Sequence, residues 1–145
     1  MTEELGSEEG AGEMEPDISF EQLQTAAGEE KWELVDKHIG RFCDDPTVIE
    51  WVMKTGLGSK DGNLRDLAVS ILERSGAEFD EKTKSDLLEK RGSDENQYVR
   101  YRAAFALFAH GDRSPQVIQT LQEAREDKDV REIAEGYLSQ IDSSQ

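Results

Sequence analysis

The sequence predicts an all-α protein, a stack of about four helical hairpins, and three observations carry that expectation. The first is a phrase written three times. It reads Asn63-Leu64-Arg65-Asp66-Leu67-Ala68 with Leu72, Tyr98-Val99-Arg100-Tyr101-Arg102-Ala103 with Leu107, and Asp129-Val130-Arg131-Glu132-Ile133-Ala134 with Leu138. Asp61, Asp94 and Asp127 sit just upstream of the copies, and the Arg-to-Arg spacings are 35 and 31 residues. A period in that range marks stacked supersecondary units, each too small to bury its own apolar face. The second observation is that helix-start and helix-stop signals alternate at close intervals from Ile18 onward. The third is that no segment sustains the period-two alternation of a strand.

Taken in order, the signals place eight helices in four pairs: 19–27 with 30–42, 46–56 with 62–75, 81–91 with 96–110, and 115–126 with 129–141. Ser19 with Gln22 forms a capping-box pattern for the first. Asp45-Pro46 and Ser114-Pro115 each set a capping side chain before a proline at the first helical position, and Asp80 caps a further start. Gly28, Gly56, Gly76, Gly92 and Gly111 stand where helices should end, since glycine enters the left-handed conformation cheaply. The first pair is a degenerate repeat: Trp32 falls near the Arg column, and Val35 and Ile39 fall near the Ala and Leu columns. Atypical end repeats are expected of a stack that needs caps.

The segment before these helices is different. Residues 1–17 carry six Glu and one Asp with no Lys or Arg, −7 of the net charge of −16. Such a segment buries too little apolar area to offset the entropy of ordering, so residues 1–17 are predicted to be an acidic disordered tail. Residues 18–142 form the repeat domain and 143–145 a short disordered end.

The repeated phrase resembles HEAT-like repeats, in particular the short variety also found in phycobilisome-lyase proteins. The residues that carry the resemblance are an Asp, then Val-Arg, then Ala and Leu on the second helix of each pair, and Asp127 to Ala134 fits most closely. The resemblance spans residues 45–141 clearly and 18–44 weakly. It implies a right-handed α-solenoid whose second helices line the concave side. It also implies an alternative activity, because some relatives attach or remove bilin chromophores, which would make this chain a tetrapyrrole lyase-like or chromophore-handling protein.

Arg65, Arg100 and Arg131 are expected to be structural. Each lies one turn after a helix start, where a guanidinium reaches the carboxylates of Asp61, Asp94 or Asp127 in its own or the adjacent repeat. A position specialised for one ligand would not recur in every repeat.

At 100° per residue, Val99, Ala103, Ala106, Leu107 and His110 fall on one side of the 96–110 helix, and Tyr98, Tyr101, Phe105 and Phe108 fall on the other. The matching columns hold Asn63, Asp66, Ser70 and Glu73 in the preceding repeat and Asp129, Glu132, Gly136 and Ser139 in the following one. Those residues are polar or tiny, so the aromatic stripe is expected to be at least partly exposed, an interaction surface ringed by acids. The expected function is a non-enzymatic protein–protein scaffold or adaptor. Its partner-binding residues would be Tyr98, Tyr101, Phe105, Phe108, Asp66, Glu73 and Glu132, and its partner a basic protein or peptide with apolar anchors. Arg102 is expected to pair with one of the acids.

Other chemistry is weakly signalled. The charge disfavours nucleic acid and anionic membranes, both of which need a basic stripe. His38 and His110 have no partners at zinc-ligand spacing, and Asp44-Asp45 and Asp127/Asp129 lack a calcium-loop pattern, so neither metal nor cofactor is expected. His110 at a helix end suits a cation–dipole contact. Gly56-Leu57-Gly58-Ser59-Lys60 lacks the preceding strand of a phosphate loop and reads as an inter-helix turn. A single cysteine, Cys43, forms no internal disulfide, which fits a reducing compartment. With no long apolar run and an acidic rather than basic N-terminus, the chain is expected to be cytoplasmic, and with no catalytic constellation in its sequence it is expected to be non-enzymatic.

Overall fold

The computed structural model describes residues 17–143, and the expected acidic tail, apart from Asp17, and the last two residues lie outside the described residues. The described chain is all-helical: α1 (Phe20–Gly28), α2 (Trp32–His38), α3 (Pro46–Trp51), α4 (Gly62–Arg74), α5 (Glu81–Ser93), α6 (Gln97–Ala109), α7 (Pro115–Ala124) and α8 (Arg131–Ser143). A short 3-10 turn, Ile39–Arg41, extends α2, and a π turn, Val52–Gly56, extends α3 and closes on the bond from Leu57 N to Val52 O. Every helix predicted from the sequence is present, in order.

The local chemistry of the starts is as expected. Ser19 Oγ accepts from Gln22 N at 3.1 Å while Gln22 Oε1 accepts from Ser19 N at 2.8 Å, so two orphan donors of α1 are satisfied reciprocally. Asp45, Asp61, Asp80 and Asn96 cap α3, α4, α5 and α6 through side-chain oxygens. Ser114 is the exception: its hydroxyl makes no cap bond, and Asp112 Oδ1 instead holds Ser114 N at 2.8 Å.

The glycine stops are less uniform than the sequence suggests. Gly111 alone among them takes a left-handed φ, +101°, where Asp112 N returns to Leu107 O to end α6. At the end of α1 the left-handed residue is Glu30, two places beyond Gly28, and α5 continues through Gly92. Gly56 serves close approach instead: a Cβ there would lie 2.7 Å from the Trp51 ring and 2.8 Å from Ala68 Cβ.

α6 sits in the middle, packed against α4, α5, α7 and α8. Seven of its residues, Val99, Ala103, Ala104, Phe105, Ala106, Leu107 and Phe108, are buried. α4 is likewise packed on α6 on one side, and on the other it meets α1 and the π turn. In a uniform stack α2 would take the place of α1 beside α4. The first pair departs from that pattern, in keeping with its degenerate sequence. Phe20 of α1 staples it to the next pair, 5.6 Å from the Phe42 ring and edge-on to Trp51 at 5.0 Å.

The recurring arginines and aspartates hold the helix starts. Arg65, Arg100 and Arg131 each donate to the carbonyl six residues upstream, on Ser59, Asp94 and Arg125 respectively. Asp61, Asp94 and Asp127 each accept from the backbone N–H two residues on. The expected rung between repeats forms once as an ion pair: Arg65 grips Asp94 with Nε and Nη2 at 2.9 and 3.0 Å. Further along, Gln97 Nε2 donates to Asp127 Oδ2 at 3.1 Å, a neutral counterpart of that rung.

Burial would by itself push the Asp94 carboxyl up, but the hydrogen bonds from Arg65 and from Asn96 N, with the Arg65 charge, hold it below the usual 3.8. A depressed acid contributes stability above its unfolded value, and that contribution is lost as pH falls through the folded value. Asp94→Ala leaves a nearly buried guanidinium unpaired and removes a turn acceptor, so it is expected to cost about 3 kcal/mol at neutral pH. Urea melts should show that gap, and the gap between wild type and variant should shrink as the pH is taken below 3.8.

Candidate functional site

The face shared by α4, α6 and α8 is where the sequence places the aromatic stripe, and the structure divides that stripe in two. Phe105 and Phe108 are 0% and 1% exposed and belong to the core. Tyr98 and Tyr101 are half-buried, edge-on to one another at 6.4 Å. The expectation that the two phenylalanines are exposed is therefore corrected. Tyr137 of α8 covers both rings, with centroids 5.6 Å from Phe105 and 5.5 Å from Phe108, and the Arg113 guanidinium lies 3.6 Å from the centre of the Phe108 ring.

The physical reason lies in the neighbouring columns. Asp66 and Ser70 are polar, yet 5% and 8% exposed, because their polar groups are paired inside the protein. Ser70 Oγ donates to Asp66 Oδ1 at 3.3 Å. Arg102 Nε lies 2.6 Å from the same oxygen, an ion pair whose N–H is not aimed squarely along the contact. Tyr137 Oη donates to Glu73 Oε2 at 2.5 Å across 64 residues of sequence. Asp66 is thus buried and Glu73 half-buried, each held by a partner on another helix and neither part of an acidic rim, which corrects their expected role as accessible flanking charges. Polar side chains do not mark a solvated face when each finds a partner.

Burial raises both carboxyls. For Asp66, desolvation outweighs the Arg102 charge and the Ser70 hydrogen bond; for Glu73, it outweighs the Tyr137 hydrogen bond and the Arg102 charge. The Tyr137 hydroxyl is pushed up by its own burial and then by the Glu73 charge. Arg102 does pair with an acid, as expected from the sequence.

What remains accessible lies toward the helix starts. Tyr98 Oη donates to Asp129 Oδ2 at 2.9 Å, which ties the start of α6 to the turn before α8 and raises the phenol above its ordinary value. Glu132 and Glu135 are exposed, and Ile133 beside them is an exposed large apolar side chain at 37%. Tyr98 is thus joined to the residue one turn before Glu132, and Tyr101 stands edge-on beside it. Ile133 was not singled out from sequence, because its column holds buried Leu67 in one repeat and Arg102 in another.

The other sequence candidates take structural positions. His110 Nε2 bonds Leu72 O at 2.8 Å, and the ring stacks on Phe79 at 3.8 Å, so the residue joins the ends of α4 and α6. Cys43 is buried and its thiol donates to Ile39 O at 3.3 Å; burial raises its pKa, with Arg74 opposing. The loop at 56–60 is an inter-helix turn whose Ser59 carbonyl is occupied by Arg65. Among the described residues no group of three or more His, Cys, Asp or Glu side chains could hold a metal ion, and no helix is long and apolar enough to cross a membrane.

A cleft of about 480 Å³ opens near the ends of α4 and α6, lined by Phe79, Lys84, Leu107, His110 and Asp112 among others. Another, of about 530 Å³, lies beside Pro46, Ile49 and Ala77. Neither is lined by Tyr98, Tyr101 or Glu132. No protein-family model, no curated protein and no solved structure matches this chain.

The two halves of the stripe should separate in a stability assay. Phe105→Ala is expected to cost about 4 kcal/mol, the loss of a large core ring with a residual cavity. Tyr101→Ala, from a half-buried position, is expected to cost about 1 kcal/mol. Chemical denaturation of the two variants side by side checks both values.

Proposed function

We propose that this protein is a non-enzymatic interaction scaffold, a short right-handed HEAT-like solenoid that holds a basic peptide or protein segment against the starts of α6 and α8. The scaffold part of this reading is supported by the contacts of each later helix pair with the next, α4 on α6, α6 on α8 and α5 on α7. It is also supported by the recurrence of the same arginine-to-carbonyl bond at each helix start.

The observation that carries the binding part is the Tyr98–Tyr101 pair. The two rings are half-buried and edge-on to one another, Tyr98 reaches Asp129 through its hydroxyl, and Glu132, Ile133 and Glu135 are exposed on the helix that follows Asp129. Half-buried tyrosines supply large rigid contact area at low entropic cost, and their hydroxyls satisfy polar groups while the rings lose water. The surrounding carboxylates favour an occupant with Lys or Arg, and the net charge of −16 adds a long-range attraction that salt weakens.

A synthetic amphipathic Lys/Leu helix is a suitable probe for NMR titration. The expected result is that the amides around Tyr98, Tyr101, Asp129 and Glu132 shift. Replacing Tyr98 and Tyr101 together by Ala should weaken binding about tenfold, equivalent to about 1.4 kcal/mol. Equal affinity for wild type and the double variant, or shifts confined to other helices, would refute this surface.

A further inference from the structure

The cleft at the ends of α4 and α6 takes no part in the surface proposed above. Tyr98 stands in the first turn of α6 and the cleft lies past its last residue, so the helix, about 20 Å long at its rise per residue, separates the two. The cleft volume of about 480 Å³ is that of a small-molecule site. Phe79 and His110 both line it, their rings stacked with centroids 3.8 Å apart, and Leu107 adds aliphatic surface.

The polar groups around the cleft are mostly acceptors. A carbonyl oxygen only accepts, so the bond between His110 Nε2 and Leu72 O at 2.8 Å puts the proton on Nε2. In the neutral ring Nδ1 is then an acceptor, and it makes no hydrogen bond among the described residues. Asp112, also in the lining, takes Ser114 N on Oδ1 at 2.8 Å, which leaves Oδ2 to another donor. Glu78 lines the cleft too; it is exposed and has neither hydrogen bond nor ion pair among the described residues. Two helices end here, and the partial negative charge of a helix C-terminus favours a cation. The cation in the lining, Lys84, lies 3.6 Å from Glu81. Arg74 lies 4.0 Å from Asp36 and Arg113 sits over the Phe108 ring, and neither lines the cleft.

We infer that this cleft binds a small organic cation, a guanidinium or amidinium joined to an apolar group. The N–H donors of such a ligand match the Asp112 and Glu78 carboxylates and His110 Nδ1, and its apolar part matches Leu107 and Phe79. A planar forked donor fits carboxylates better than a compact ammonium does. An anion would meet two carboxylates and two helix C-termini, with one lysine already beside a glutamate to offset them.

Benzamidinium is the probe, with benzamide and benzoate as neutral and anionic counterparts of nearly the same shape. NMR titration of the full chain at about 0.15 M salt, which screens the net charge of −16, tests the site. Benzamidinium shifts should saturate and centre on the amides of Phe79, Gly111 and Asp112. Benzamide should bind roughly tenfold more weakly, through loss of the charge-assisted bonds, and benzoate should not bind. Glu78→Gln with Asp112→Asn preserves both side-chain shapes and leaves an amide oxygen for Ser114 N, so the fold is retained while benzamidinium binding weakens roughly tenfold. Tyr98→Ala with Tyr101→Ala should leave benzamidinium affinity unchanged, which separates this site from the peptide surface. Equal affinity for benzamidinium and benzamide overturns the proposal, as does wild-type affinity in the Glu78 and Asp112 variant or lost affinity in the tyrosine variant. Shifts spread over acidic positions without saturation overturn it as well, since they report only a cation atmosphere.

Discussion

A helix with apolar residues on both faces has no stable place except inside other helices. α6 is such a helix. The rest of the molecule is arranged around the need to enclose it: α4 and α5 flank it on the N-terminal side in sequence, α7 follows it, and α8 returns to cover the remaining aromatic edge. Its small residues, Ala103, Ala104 and Ala106, let neighbouring helices approach closely, while Phe105 and Phe108 fill the space that remains. Tyr98 and Tyr101, in the first turns of α6, are only half covered by its neighbours.

Enclosure brings polar groups inside along with the rings. Asp66, Ser70, Glu73, Arg102 and Tyr137 form a network in which most members have a partner in a different helix. Such a network fixes the register between α4, α6 and α8 more sharply than apolar contact alone, since a shift of one turn would strand a buried charge. Burial raises both of its carboxyls, and the Arg102 charge acts on each of them in the opposite direction. The arginines at the helix starts work differently. They satisfy carbonyls of the preceding turn and so fix where each second helix begins.

The helices were legible because their ends are written in local chemistry. Ser19 with Gln22, Asp45 with Pro46, and Asp80 act over a few residues, and nothing distant overrides them. The arginine phrase was legible as structure for a related reason: recurrence at one register implies a recurring local bond. The burial of the stripe was not legible, because it depends on Tyr137, which shares a column with Ile71 and Ala106 and carries no aromatic signal of its own period. Reading Asp66, Ser70 and Glu73 as solvated followed from polarity alone. Their partners lie up to 64 residues away, beyond any local pattern. Tyr98 and Tyr101, in the first turns of α6, keep part of their rings at the surface, whereas Phe105 and Phe108 further along lie under Tyr137.

Cys43 gives the molecule a built-in observer. It is the single thiol in the chain, 3% exposed, with its S–H directed to Ile39 O and its ionisation suppressed by burial. A thiol reagent therefore cannot attack the closed form at any appreciable rate. Each modification event records an opening of the segment between α2 and α3, which is tied to the residues just after α4 through the bond from Gly76 N to Asp44 Oδ1. The atypical first hairpin thus keeps its own clock. Its opening can be timed against that of the helices around α6 without introducing a label anywhere else in the chain.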